Sequence, residues 1–222
     1  MPYVVTEPES LRGVYESWAD LPPVRAWLSG VRCQKIENAE EAKAILASTG
    51  VVLAPGLYSF TDGNRAGGVG VAVVRVDNED IEPQVVQRIA TTVAETFQGA
   101  AISGMEAVRG IAEALGRLHP TLEELAGLYV ALREAPEGAE MTIVYDYAGV
   151  GAFMRDQWKA KDTIVKAVIS ASRELAAGKR LQLRYYHQPG HPLTIPGRND
   201  LVRFNALAHD LAAHGSNAVA PE

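Results

Sequence analysis

Residues 57–76 read LYSFTDGNRAGGVGVAVVRV, two apolar runs broken by Asp62-Gly63-Asn64 and a glycine pair. Asp-Gly is the commonest dipeptide of a tight chain reversal, so the simplest reading is a hairpin in which Asp62 starts the turn. The second arm is apolar up to Arg75 and suits a buried strand. A carboxylate at the end of an apolar strand has a second use, as a ligand. The rest of the chain has to separate the two.

A third run, VVQRIATTVAETF (85–97), continues the pair into an antiparallel meander. Residues 100–118 have helical character, weakened by Gly104, Gly110 and Gly116. A stronger helix follows, with Thr121 as N-cap, Glu124 at the capping-box position, and Leu122, Leu125, Leu128, Tyr129 and Leu132 at helical spacing. EMTIVYD is a strand ending in Asp146, DTIVKAVISASRELAAG a helix, LQLRYYH a strand and LVRFNALAHDLAAHG a closing helix. The order βββ, α, β, α, β, α describes an α/β domain, a mixed sheet flanked by helices.

The first 47 residues form a smaller unit. YVV, GVY and VRCQKI are strand-like, Ser17 can cap a helix from Trp18 to Leu28, and Asn38 can cap AEEAKAILA. Three strands and two helices in so short a stretch suit an accessory binding module better than a catalytic domain. The expected division is a module at 1–48, a short connector at 49–56, a main domain at 57–215 and a frayed tail at 216–222.

Composition excludes several classes. With 47% hydrophobic and 22% charged residues the chain is of ordinary globular type. Its uncharged apolar runs fall well short of the roughly 20 residues of a membrane helix. The N-terminus lacks the basic and apolar regions of a secretory signal, and Cys33 is the lone cysteine, so a cytoplasmic protein without disulfides is expected. Net charge is −6, but unevenly spread: residues 147–222 carry 10 basic against 6 acidic side chains. Such a stretch is either a solvated helix face or a contact for phosphates.

Asp62 and Asp146 both close apolar strands, and Glu124 opens the helix that leads into the Asp146 strand. A helix packed across the sheet could bring all three together. Three carboxylates without a basic partner repel one another and are costly to bury, a cost that divalent cations remove. Oxygen ligands of this kind suit Mg²⁺ or Mn²⁺.

At these residues the sequence resembles a known family. FTDGN, LEELAGLYVAL and TIVYDYAGVGAF, in that order and with 22 residues from Glu124 to Asp146, are similar to the catalytic domain of type 1 ribonuclease H. YVV, GVYESW, VRCQKI and ENAEEAKAIL resemble the hybrid-binding, viroplasmin-like module that precedes it in a bacterial subgroup. The resemblance covers residues 3–47 and 57–213. It implies a mixed five-stranded sheet flanked by helices plus a small three-stranded module, and hydrolysis of the RNA strand of RNA/DNA hybrids, leaving 5′-phosphate and 3′-hydroxyl ends. It also implies a site in which Asp62 bridges two ions, with Glu124 and Asp146 completing the ligands of one.

The resemblance further implies that Gly63 and Asn64 approach the RNA backbone, and that His187, or its neighbour His191, is a mobile histidine aiding product release. By the same likeness Tyr3, Trp18 and Lys35 contact sugars and phosphates, with Trp158, Lys159 and Lys161 carrying further nucleic-acid contact. Trp18 can equally be core. The family's fourth carboxylate falls, in FNALAHDLA, on His209, with Asp210 one residue on and therefore about 100° around the helix. An imidazole there favours Mn²⁺ over Mg²⁺. Glu106 is an alternative second carboxylate with poorer spacing, and residues 98–119 are an insertion relative to the pattern. A hybrid or double-stranded RNA binding protein that cuts little is the competing reading; a monomer without membrane contact is expected.

Overall fold

The computed structural model describes residues 3–7, 13–15, 32–37, 52–78, 81–98, 118–188 and 199–217. They belong to two compact units, Met1–Val52 with Gln188–Val202, and Leu53–His187 with Arg203–Glu222.

In the first unit β1 (Tyr3–Glu7) pairs antiparallel with both β2 (Gly13–Tyr15) and β3 (Arg32–Lys35), giving the order β2-β1-β3. Val4, Val5 and Ile36 are buried. The two helices expected here, with Ser17, Trp18 and Asn38, lie outside the described residues, as do the 100–117 stretch and Glu106.

The second unit holds β4 (Gly56–Gly63), β5 (Gly68–Val76), β6 (Gln84–Thr92), α1 (Val93–Phe97), α2 (Thr121–Glu134), β7 (Glu140–Tyr145), α3 (Gly149–Met154), α4 (Thr163–Gly178) and β8 (Gln182–His187). The closing helix, α5, runs Asp200–Asn217. The sheet order is β6-β5-β4-β7-β8, antiparallel through β4, β5 and β6 and parallel through β4, β7 and β8. This is the expected mixed five-stranded sheet flanked by helices.

Strand alternation sorts the core into two faces. Val69, Val71, Val73, Met141, Ile143 and Tyr145 pack with the leucines of α2 and with Val165, Val168 and Ile169 of α4. Helix α2 is buried nearly all round, from Leu122 to Leu128 without a break, as a central helix between sheet and outer helix must be. Gly127 lets it close on β4, where a Cβ would meet Thr61 at 3.1 Å. On the other face Phe60 meets Phe204 of α5 with ring centroids 5.4 Å apart. There α5 lies on bare backbone: a Cβ on Gly70 would stand 1.9 Å from the Ala208 carbonyl oxygen, and one on Gly215 2.1 Å from that of Thr91.

Three local expectations are corrected. The third strand stops at Thr92 instead of running to Phe97, because Thr92 and Glu95 form a reciprocal capping box that turns Val93–Phe97 into helix. Thr121 does not cap α2; it is the helix's first residue, and its hydroxyl donates to Tyr147 Oη at 3.1 Å. The fourth strand ends at Tyr145, and the glycine-containing segment after Asp146 makes the short helix α3.

Candidate metal centre

Parallel pairing of β4 with β7 sets Thr61 opposite Tyr145. Asp62 and Asp146 each follow one residue later, so two carboxylates emerge side by side at the carboxyl ends of neighbouring strands. Glu124 comes from the first turn of α2. Its carboxylate is drawn to the strand end by the Gly63 N–H, which donates to Glu124 Oε1 at 3.2 Å and to Asp62 Oδ1 at 2.8 Å. Glu124 therefore bonds across elements, to the end of β4, and is not half of a capping box. Gly63 is needed for room as well: a Cβ there would lie 2.5 Å from Glu123 Cβ.

One oxygen from each of Asp62, Glu124 and Asp146 lies within 4.8 Å of the others. Asp62 and Glu124 are buried, Asp146 half-buried, and Glu124 Oε2 has no hydrogen-bond partner. Burial, then the Asp146 charge, pushes the Asp62 carboxyl above its ordinary range, partly offset by His209 and the Gly63 N–H. Burial, then the charges of Asp146 and Asp62, then the close approach of the Asp146 carboxyl, hold Glu124 well above it, with the Gly63 N–H opposing. An all-oxygen set with a buried unpartnered lone pair fits a hard divalent cation, which would relieve the repulsion and complete Glu124 together.

His209, half exposed on α5, places Nδ1 2.7 Å from Asp62 Oδ2. It reaches Asp62 but is not among the three converging groups. Asp210 is exposed, as the helical rotation requires. His187 ends β8, its ring on Tyr145 at 5.7 Å and its Nε2 2.8 Å from the backbone oxygen of Asp146. Its bond is thus to the carbonyl of a cluster residue and not to a carboxylate. His191 lies outside the described residues.

The expected nucleic-acid contacts come from several elements, each described by itself. Asn64 is committed internally: Nδ2 donates to the Ala212 carbonyl at 2.8 Å, and Oδ1 accepts the N–H groups of Ala66 and Gly68 at 3.0 Å each. Trp158 is 48% exposed, edge-on to Phe153, with Lys159 and Lys161 exposed beyond it. Tyr3 and Lys35 are register partners on β1 and β3. The sequence reading missed the His119–Glu123 pair at 3.1 Å, in which Glu123 is wholly buried one residue before Glu124. Their i, i+4 spacing was the available signal.

No protein-family model and no curated protein matches the chain. Solved structures with a similar backbone include RNase H1 from the halophilic archaeon Halobacterium salinarum NRC-1, at 14% identity over 73% of this chain and 98% of that one, with a TM-score of 0.46. Another is the N-terminal RNase H domain of a Mycobacterium tuberculosis protein, fused to maltose binding protein, at 17% identity over 74% and 98%, with a TM-score of 0.41. Among the described residues no helix is long and apolar enough to cross a membrane.

Proposed function

We propose that the chain is a metal-dependent endonuclease of the ribonuclease H kind, hydrolysing the RNA strand of RNA/DNA hybrids to leave 5′-phosphate and 3′-hydroxyl ends. The observation that carries this reading is the convergence of Asp62, Glu124 and Asp146 from three separate elements, with a buried, unpartnered Glu124 oxygen among them. A phosphodiester is itself anionic, so three carboxylates can act on one only across cations. Mg²⁺ or Mn²⁺, two ions in the full reading, would polarise the scissile phosphate and lower the pKa of the attacking water.

The chain's own part is positional. The Gly63 N–H holds Asp62 and Glu124 in one place, and the Thr121–Tyr147 bond ties the start of α2 to the residue after Asp146. His187 is set to leave the Asp146 carbonyl as product departs. Trp158, Lys159 and Lys161 offer an aromatic face and two cations to a nucleic-acid backbone, and Tyr3 with Lys35 would offer the same from the N-terminal strands as a hybrid-binding module.

The test is cleavage of labelled RNA/DNA hybrid, and separately of double-stranded RNA, in Mg²⁺ and in Mn²⁺, with Asp62→Asn beside the parent. Hybrid cleavage that requires the ion and disappears in Asp62→Asn is expected. A faster rate in Mn²⁺ would mark His209 as a ligand of an ion, and an equal or better rate in Mg²⁺ would count against that role. Hybrid bound but uncut with either ion would refute the nuclease and leave a binding protein.

A further inference from the structure

Asp62 has two oxygens and, among the described residues, two protein partners: the Gly63 N–H on Oδ1 at 2.8 Å, and His209 Nδ1 on Oδ2 at 2.7 Å. The first comes from the strand's own backbone. The second comes from a side chain that is half exposed while Asp62 itself is almost wholly covered, so the imidazole stands on the solvent side of the carboxylate. An ionised Oδ2 can only accept, so Nδ1 carries the proton and donates. Bonds from carboxylate oxygen to Mg²⁺ are about 2.0–2.1 Å long. A cation bonding Oδ2 from the solvent side would overlap the ring.

We propose that His209 is a latch on Asp62: the resting site takes one divalent ion, and a second is admitted only when the imidazole leaves Oδ2. The inference rests on the metal-dependent reading above and deepens it, because an imidazole at this position would otherwise count as a ligand of the second ion. The two roles predict opposite effects. Removing a ligand weakens the second ion, whereas removing a latch strengthens it.

The packing of α5 favours the latch. Ala208 and Gly215 lie against strand backbone at Gly70 and Thr91, with no room for a Cβ on either glycine, so the helix is seated closely on the sheet and a side-chain motion is the smaller change that carries the imidazole aside. Rotation of the half-exposed His209 side chain would free Oδ2. Asp210, one residue on, points elsewhere and cannot take over the contact.

The experiment counts Mn²⁺ bound to the full chain without nucleic acid, by titration calorimetry and by loss of the free-ion electron paramagnetic resonance signal. The parent is compared with His209→Ala, His209→Gln and Asp62→Asn. One ion is expected in the parent. His209→Ala should bind a second ion roughly ten- to a hundredfold more tightly than the parent does, the factor set by losing a hydrogen bond to a charged carboxylate. His209→Gln, whose amide can still donate to Asp62, should stay near the parent. Two ions of similar affinity in the parent, or a His209→Ala that binds no more than the parent, overturns the latch. No Mn²⁺ bound by the parent or by either His209 variant would overturn the metal reading itself, so the two failures are distinguishable.

Discussion

Acidic residues on the outer surface of the second unit and those at the carboxyl ends of β4 and β7 are handled in opposite ways. Outside, Glu134 faces Arg133 at 2.8 Å and Asp156 faces Arg173 at 2.7 Å, while Glu137, Glu140 and Glu82 face Arg180, Arg184 and Arg203. At the strand ends three carboxylates share, among the described ion pairs, one imidazole. Surface pairs of the first kind contribute about 0–1 kcal/mol each. Uncompensated charge in a buried setting costs several kcal/mol. The molecule neutralises its acids where little depends on it and leaves them bare where much does. A cost tolerated at one point of an otherwise consistent fold marks a use, and the use that fits is a cation supplied from outside.

The sharpest attempt to break this contrast removes one charge from the cluster. Asp146→Asn keeps the shape at the end of β7 and deletes a ligand charge, so hybrid cleavage should fall by at least about a thousandfold in single-turnover assays. Cleavage within tenfold of the parent would make the cluster a feature of the fold and not of the chemistry.

The next concerns the cost of the cluster when no ion is bound. Asp62 and Glu124 have folded-state pKa values raised above those of an unfolded chain. Between the ordinary carboxylate range, about 4, and those raised values the folded state binds more protons. Stability of the metal-free protein is therefore full at the low end of that window and is lost as pH rises through the folded values. Urea melts in chelator should show the decline, and Glu124→Gln should flatten it, gaining on the order of 1–3 kcal/mol at the alkaline end. Adding Mg²⁺ to the parent should also flatten it, since the ion replaces the proton. A parent without this slope would mean that the three carboxylates are not mutually strained.

The same site shows what was and was not legible in the sequence. Asp62 and Asp146 stood out because charge at the end of an apolar strand is rare, and parallel pairing then places them side by side. Glu124 was found by spacing but given the wrong local partner. Thr-x-x-Glu is the same four-residue signature whether the glutamate reaches back to its own helix or across to Gly63, and only tertiary packing decides. The true capping box, Thr92 with Glu95, was hidden inside a run whose β-branched residues favour strand. Gly63 looked like a turn or substrate-facing glycine, yet it makes room for Glu123, a contact between residues 60 positions apart that no local pattern encodes. His209 was picked out by its place on the last helix. The resemblance set it in one site with Asp62, 147 residues away; the direct contact of its Nδ1 with the Asp62 carboxylate was not legible.

The smallest expected effect tests the other side of the contrast. Arg184 and Glu140 pair across the edge of the sheet with side chains 74% and 55% exposed. Arg184→Ala should cost no more than about 1 kcal/mol, and the loss should shrink as salt is raised, because charges in water are screened within about 8 Å at physiological ionic strength. The same urea melts, run at low and high salt, measure it. A loss well above that, insensitive to salt, would mean the surface pairs hold the sheet edge together, and the bare cluster could no longer be read as a departure from cheap local neutralisation. A small, salt-sensitive loss would mean that arginine is placed beside exposed acids at little gain, so its absence from the described partners of the clustered three is not for want of arginine, and a cation from outside is the charge that fits them.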